Sequence, residues 1–174
     1  DVNGVSRTLT SAATLARKRS LPLTVLACES GPPTADFVCE NFAPIWETPV
    51  PRYEELTLRV PPAIEFIEHC ERENYGRILI STPGPVGLAA LAAAKLLGVP
   101  TAGIYHTDFP RYVAALGGDG RLEDLARSYI RWFYRQMDEV LVSSATYAEE
   151  LLAMGVERDR LRDLPRGVDL DLFS

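Results

Sequence analysis

His106 and Asp108 stand two residues apart in "PTAGIYHTDFP" (100–110), where an apolar segment from Thr101 to Tyr105 runs into polar residues and breaks at Phe109-Pro110. The chain holds 2 histidines, so one placed at the exit of a strand-like run is a candidate for chemistry. An imidazole there can act as a general acid or base, donate a hydrogen bond, or bind a metal. Metal is the weakest of the three, because no set of His, Cys, Asp and Glu at ligand spacing surrounds it. Asp108 is the nearest carboxylate in sequence, and its plain alternative is to cap the helix that follows. Thr107 between them adds a hydroxyl.

Three more segments carry residues suited to a ligand. They are Asn3, Gly4 and Val5 entering the first helix, Ser81-Thr82-Pro83-Gly84 after "RILI", and Ser143-Ser144 after "EVLV". Each joins small or hydroxyl residues to a helix start, where free backbone N–H groups hold an anion or a sugar hydroxyl. Helix capping wants the same residues, and taken singly each segment reads as a cap. Taken together they read as a site, since ligands of open parallel sheets bind outside the carboxyl ends of the strands. No GxSxG elbow, P-loop lysine motif or GxGxxG is present, which removes the common hydrolase, NTPase and dinucleotide fingerprints. The residues point to a sugar-sized or phosphate-bearing ligand.

The elements that must position these residues alternate. A short apolar run, a small or polar turn and an amphipathic helix recur along the chain, the pattern of a parallel sheet with helices on both faces. Val5, Leu9, Ala12, Ala13 and Ala16 share one helical stripe, so 5–19 is helical, with Arg17-Lys18-Arg19 at the negative end of its dipole. "LPLTVLAC" (21–28) is a strand. The Pro-rich stretch from Glu29 to about Arg59 reads as a loop with one or two short extended pieces. Pro61-Pro62 opens a helix whose stripe is Ala63, Phe66, Ile67 and Cys70, with His69 off the stripe in a solvated pair with Glu65. "RILIS" (77–81) is a strand, "GLAALAAAKLLG" a close-packing helix ended by Gly98, and Pro100 begins the strand leading to His106. After Pro110 come a short helix, a turn at 117–120 and a longer helix from Leu122 to about Met137. "DEVLVSS" is a strand, "ATYAEELLAMG" a helix, and "RLRDLP" a last short strand. The total is five or six strands in one Rossmann-like, doubly wound α/β domain. The opening turn has no strand before it and "LPRGVDLDLFS" closes in a loop, so both ends read as cut from a longer protein.

Charge narrows the partners. A net charge of −6 and a pI near 5.0 argue against nucleic acid, which selects a dominant basic surface. No apolar run approaches the ~20 residues that cross a bilayer and no signal peptide opens the chain, so the reading is soluble and cytoplasmic. Cys28, Cys39 and Cys70 are odd in number and lack CxxC spacing, which fits buried spectator thiols. In "LEDLARSYIRWFYRQMD", Arg127, Arg131 and Arg135 lie four apart beside Tyr129, Trp132, Phe133 and Tyr134. Such a helix can rest on an anionic membrane surface. The expected arrangement is the alternative, with Leu122, Leu125, Ala126, Tyr129, Ile130 and Phe133 against the sheet and the arginines solvated. Peripheral membrane contact at the inner face stays open through this helix and Arg17-Lys18-Arg19.

With these segments placed, the chain resembles the amino-terminal half of a GT-B glycosyltransferase of family 4, in its mannosyl- and glycolipid-transferase branch. "NGVSRTL" is similar to the family's glycine turn into the first helix, and "YHTDFPRYV" to its "YHT(D/N)F" segment. "VLVSSATYAEELLAMGV" followed by "LPRGVDLDLF" is similar to its passage toward the interdomain linker. The resemblance implies two Rossmann-like domains around a cleft. The first, held here, is the acceptor side; the second carries a basic pair for the pyrophosphate and an E-x7-E motif, so this half alone is expected to be inactive. It further implies that Gly4 lets the backbone approach the donor phosphate, that His106 contacts the donor sugar near the reacting carbon, and that Arg166, where many members have Asn, lies in the linker passage near the cleft. No metal or other cofactor is implied. The expected activity is retaining transfer of a hexose from a nucleotide sugar to a lipid or sugar hydroxyl. The alternative is a non-catalytic carbohydrate or lipid-headgroup binder of the same fold, and an epimerase or phosphatase ranks last.

Overall fold

The computed structural model describes residues 4–31, 37–50, 53–105 and 120–164. Their elements, in order, are α1 (Gly4–Lys18), β1 (Val25–Ala27), β2 (Cys39–Asn41), β3 (Trp46–Val50), β4 (Tyr53–Val60), α2 (Ala63–Glu73), β5 (Ile78–Ile80), α3 (Pro85–Leu97), β6 (Thr101–Tyr105), α4 (Gly120–Arg135), β7 (Glu139–Val142), α5 (Ala145–Ala153), a 3₁₀ turn (Arg158–Arg160) and β8 (Leu161–Asp163). The fold is α/β with parallel sheets, of the Rossmann-like kind expected. Eight strands among the described residues replace the five or six read from the sequence. Two compact units are distinguishable, one of 1–76 with 83–99 and one of 77–82 with 100–174.

In the first unit β1 and β2 pair parallel, Val25 opposite Cys39 and Ala27 opposite Asn41. β3 and β4 pair antiparallel, Trp46 opposite Val60 and Thr48 opposite Leu58. The supposed loop over 29–59 therefore contains β2, β3 and most of β4. Its prolines hid them: proline gives no hydrogen to a ladder and is confined to edges and bulges, and Pro49 sits where the β3–β4 register shifts. The strand expected over 21–28 shortens to β1. Helix α2 ends at Asn74, which takes left-handed backbone (φ 51°) and returns its N–H to Cys70 and Glu71 carbonyls. α3 ends at Gly98 as expected, φ 68°, with Ala93 and Ala94 fully buried.

His69 overturns its sequence reading. It is 5% exposed, and it shares a stripe with Phe66 and Cys70 at i, i+3, i+4 spacing. Its Nδ1 lies 2.9 Å from the Arg72 guanidinium; a guanidinium only donates, so Nδ1 accepts. Nε2 is then the donor to the Tyr75 hydroxyl at 2.9 Å. Phe42, beyond the end of β2, meets the ring edge-on at 5.5 Å, and the nearest carboxylate oxygen is that of Glu40 at 4.0 Å rather than Glu65. The partners come from distant sequence, which no local pattern reports.

The second unit is built on β5, β6, β7 and β8, parallel and side by side in chain order. β6 is buried along its whole length, as a strand paired on both edges and covered on its faces must be. Its first residue is locked: Asp138, just before β7, accepts from Thr101 N–H at 2.7 Å and from Thr101 Oγ1 at 2.8 Å. Thr101 is fully buried, so removing the carboxylate leaves two donors without a partner. Asp138→Ala is expected to cost about 2–4 kcal/mol, read as a lower urea midpoint with an unchanged slope; an unchanged midpoint would show that the lock is replaceable. α4 buries Ile130, Phe133 and Tyr134, and Gly103 of β6 makes room for Tyr134. A Cβ there would lie 3.1 Å from Met137 Cγ and 3.2 Å from Tyr134 Cδ1 and Cε1. Arg160 reaches back to the end of α4, donating at 3.2 Å to the carbonyls of Arg135 and Met137.

Candidate functional site

The carboxyl ends of the second unit's strands form one rim. β5 ends in Ser81, half-buried, and Thr82, exposed; β7 ends in Ser143, half-buried. β6 lies between them, so Ser81 and Ser143 stand one strand to either side of its exit, ~5 Å away each in the pairing direction. The next residue, Ser144, caps α5: its Oγ accepts from Tyr147 N–H at 3.3 Å, as the capping alternative requires. Gly84, Gly4 and Val5 belong to the first unit. Gly84 is the N-cap of α3, extended at φ −82° with Pro85 following and no side-chain cap. Gly4 and Val5 open α1. Asn3, His106, Thr107, Asp108 and Arg166 lie outside the described residues, as do the short helix and turn expected after Pro110.

The β6 exit is held by a cluster that the sequence reading missed. Tyr105, the last residue of the strand, is fully buried. Tyr134 of α4 and Tyr147 of α5 meet its ring edge-on, each with centroids 5.2 Å away. Its hydroxyl donates to Glu150 Oε2 at 3.3 Å, and the Tyr134 hydroxyl donates to the Ile104 carbonyl at 3.0 Å. Burial pushes the Tyr134 phenol well above its usual range, so it stays a neutral donor. One signal was available: Tyr147, Glu150 and Leu151 fall at i, i+3, i+4, which puts a carboxylate on the inward face of α5.

α4 also departs from its expected packing. Leu122 and Leu125 are 52% and 66% exposed and Trp132 is 48% exposed, while Ile130, Phe133 and Tyr134 are buried. Ser128, Arg131, Trp132, Arg135 and Gln136 line an open depression of about 530 Å³ on the outer side. Among the described residues no group of three His, Cys, Asp or Glu side chains is placed to hold a metal. All three cysteines are free, and burial raises the thiols of Cys28 and Cys70.

Known proteins resemble the chain along most of its length. The Arabidopsis thaliana sulfoquinovosyl transferase SQD2 is 32% identical over 127 residues, 72% of this chain and 25% of that protein. A GDP-mannose-dependent alpha-mannosyltransferase of Mycobacterium tuberculosis is 34% identical over 98 residues, 55% of this chain and 24% of that protein. The aligned part thus amounts to about a quarter of each relative. The family model of Glycosyltransferase Family 4 matches residues 2–172, which take in both helix-opening segments, the β6 exit and the serine rim, and on that match the chain belongs to Glycosyltransferase Family 4.

Proposed function

We propose that this chain is the acceptor-side half of a retaining hexosyltransferase that moves a hexose from a nucleotide sugar to a lipid or sugar hydroxyl. The observation that carries the reading is the rim of the four-stranded sheet, where Ser81 and Ser143 flank the strand that leads directly to His106. A mannosyltransferase that depends on GDP-mannose among the relatives supports a nucleotide-linked hexose as donor. In this reading Gly4 and Val5 at the start of α1 offer backbone N–H groups to the donor phosphate. Ser81, Thr82, Gly84, Thr107 and Ser143 hold sugar hydroxyls, and Asn3 and Arg166 border the donor. His106 donates a hydrogen bond to a hexose hydroxyl as positive charge develops on the anomeric carbon, and Asp108 orients the acceptor. The bond to the diphosphate breaks, the acceptor oxygen bonds to the same face of the anomeric carbon, and its proton leaves with the diphosphate. No metal takes part; fixed positive charge stabilises the leaving group.

The test is transfer from a panel of UDP- and GDP-hexoses by the intact protein, with and without a glycolipid extract, and with residues 1–174 alone as control. Turnover by the intact protein and silence from the control support the reading. Glycan or lipid binding with no turnover from either would leave a binding module.

The same reading puts the protein at the cytoplasmic face of a membrane. Among the described residues no helix is long and apolar enough to cross a bilayer, and the contact proposed for this half is peripheral. The outer side of α4 supports it: exposed Leu122, Leu125 and Trp132 run beside exposed Arg121, Arg131 and Arg135, with Asp124 the one carboxylate among them. Each arginine near an anionic surface contributes about 1 kcal/mol. Vesicles carrying anionic lipid are therefore expected to retain the intact protein at low salt, and the double variant Arg131→Glu, Arg135→Glu to weaken retention at least about tenfold. Equal retention by neutral vesicles, or by the variant, would remove the contact.

A further inference from the structure

β6 ends under more restraint than its ladder supplies. Tyr105 already pairs with Val142 across the sheet. Two helices then add side-chain restraints to its last two residues. From α4, the Tyr134 hydroxyl holds the Ile104 carbonyl at 3.0 Å. From α5, Tyr147 abuts the Tyr105 ring and Glu150 accepts its hydroxyl at 3.3 Å. Packing alone does not need the last of these. A fully buried ring at this position could be phenylalanine, which packs without a hydroxyl to satisfy, whereas tyrosine takes half-buried Glu150 as its acceptor. What the pair adds is direction: a ring wedged between two others and tied at its hydroxyl has one orientation, and its Cα sets where the chain leaves the sheet. The residue that leaves is His106.

We infer that Tyr105 and Glu150 form a positioning pair for the reaction, fixing the strand exit from which His106 enters the site. The inference rests on the proposed transferase function. Both are positioning residues that act through the strand end at Tyr105 rather than by touching substrate. Because reaction geometry is steep in distance, a shift well below 1 Å at this exit slows the chemical step more than it weakens binding.

The experiment is steady-state kinetics of the intact protein with Tyr105→Phe, Glu150→Leu, Glu150→Gln, the double variant Tyr105→Phe, Glu150→Leu, and His106→Ala. Tyr105→Phe and Glu150→Leu are each expected to lower kcat about tenfold with donor and acceptor KM changed less than about twofold. Glu150→Gln keeps an acceptor for the hydroxyl and is expected to stay within about threefold of the starting kcat. The double variant is expected to be no worse than either single, as for residues acting as one unit. Phenylalanine preserves the ring packing, so a thermal midpoint close to the starting value separates positioning from unfolding. An unchanged kcat in Tyr105→Phe, or losses that add in the double variant, overturns the pair while a strong loss in His106→Ala leaves the transferase reading standing. Normal turnover in His106→Ala takes the histidine out of the chemistry and overturns the inference, whereas the transferase reading falls only if the unsubstituted protein transfers no hexose.

Discussion

Replacing His106 with alanine is expected to lower hexose transfer by about a hundredfold to a thousandfold, the loss that follows removal of one preorganised donor from a developing charge. His106 follows Tyr105, the fully buried end of a strand paired on both sides, and half-buried Ser81 and Ser143 stand at the ends of its two neighbours. In the proposed reading the imidazole that follows this strand meets what the rim binds. Alanine removes the donor without adding bulk, so folding is expected to be untouched, and the two effects separate in one experiment. Turnover should fall with little change in donor KM, because the bond strengthens as charge develops rather than when substrate binds. The thermal midpoint should stay where it was. Near-normal turnover would take His106 out of the chemistry and leave the serine rim as a binding surface.

The second large effect is structural. Gly103→Val is expected to destabilise the protein by about 3 kcal/mol, at the upper end for overpacking in a core. Gly103 is in ordinary strand backbone, so strain at φ is not the cause; the cause is what faces it. Its missing Cβ would meet Tyr134 at 3.2 Å and Met137 at 3.1 Å. Methionine can bend away, but Tyr134 cannot, since its hydroxyl is tied to Ile104 and its ring is set against Tyr105 and Phe133. The two γ carbons of valine would push α4 off the sheet and break the Tyr134 bond, leaving the Ile104 carbonyl without that partner. Gly103→Ala, with one carbon to place, is expected to cost about 1 kcal/mol. Urea midpoints of the two variants check the ranking. Equal midpoints for valine and glycine would mean that α4 retreats at no cost, and the tyrosine cluster would then be too loose to aim the β6 exit.

The strand-end placement of two rim segments was legible in the sequence. The rim segments at 81–82 and 143–144 follow apolar runs of three or four residues and precede helix starts, and both strand and turn signals are local. The same locality explains why the capping alternative held at Ser144 and not obviously at Ser143: a cap is decided by the residue three positions on, and Tyr147 N–H supplies it to one serine. The β6 clamp was not legible. Glu150 sits on a regular helical spacing, but its partner is 45 residues away, and only the packing of α5 beside β6 brings the two together. On α4, the apolar stripe reads as one face, whereas Ile130, Phe133 and Tyr134 are buried, Ala126 and Tyr129 half-buried, and Leu122 and Leu125 exposed. Periodicity gives the side of a helix; how much of that side is covered depends on the width of the surface beneath it.

The alternation of strands and helices, the parallel sheet, the helix end at Gly98, the family and the rim segments could all be read along the chain, because each is written in residues near one another. The tertiary structure alone decided which polar groups became partners. Asp138 went to Thr101, Glu150 to Tyr105, and Arg72 rather than Glu65 to His69. It also decided that Pro49 would sit in an antiparallel strand pair instead of in a loop. These choices share one physical cause: a buried polar atom must find a partner from whatever the fold brings within hydrogen-bond distance, and that neighbourhood exists only once distant segments have packed.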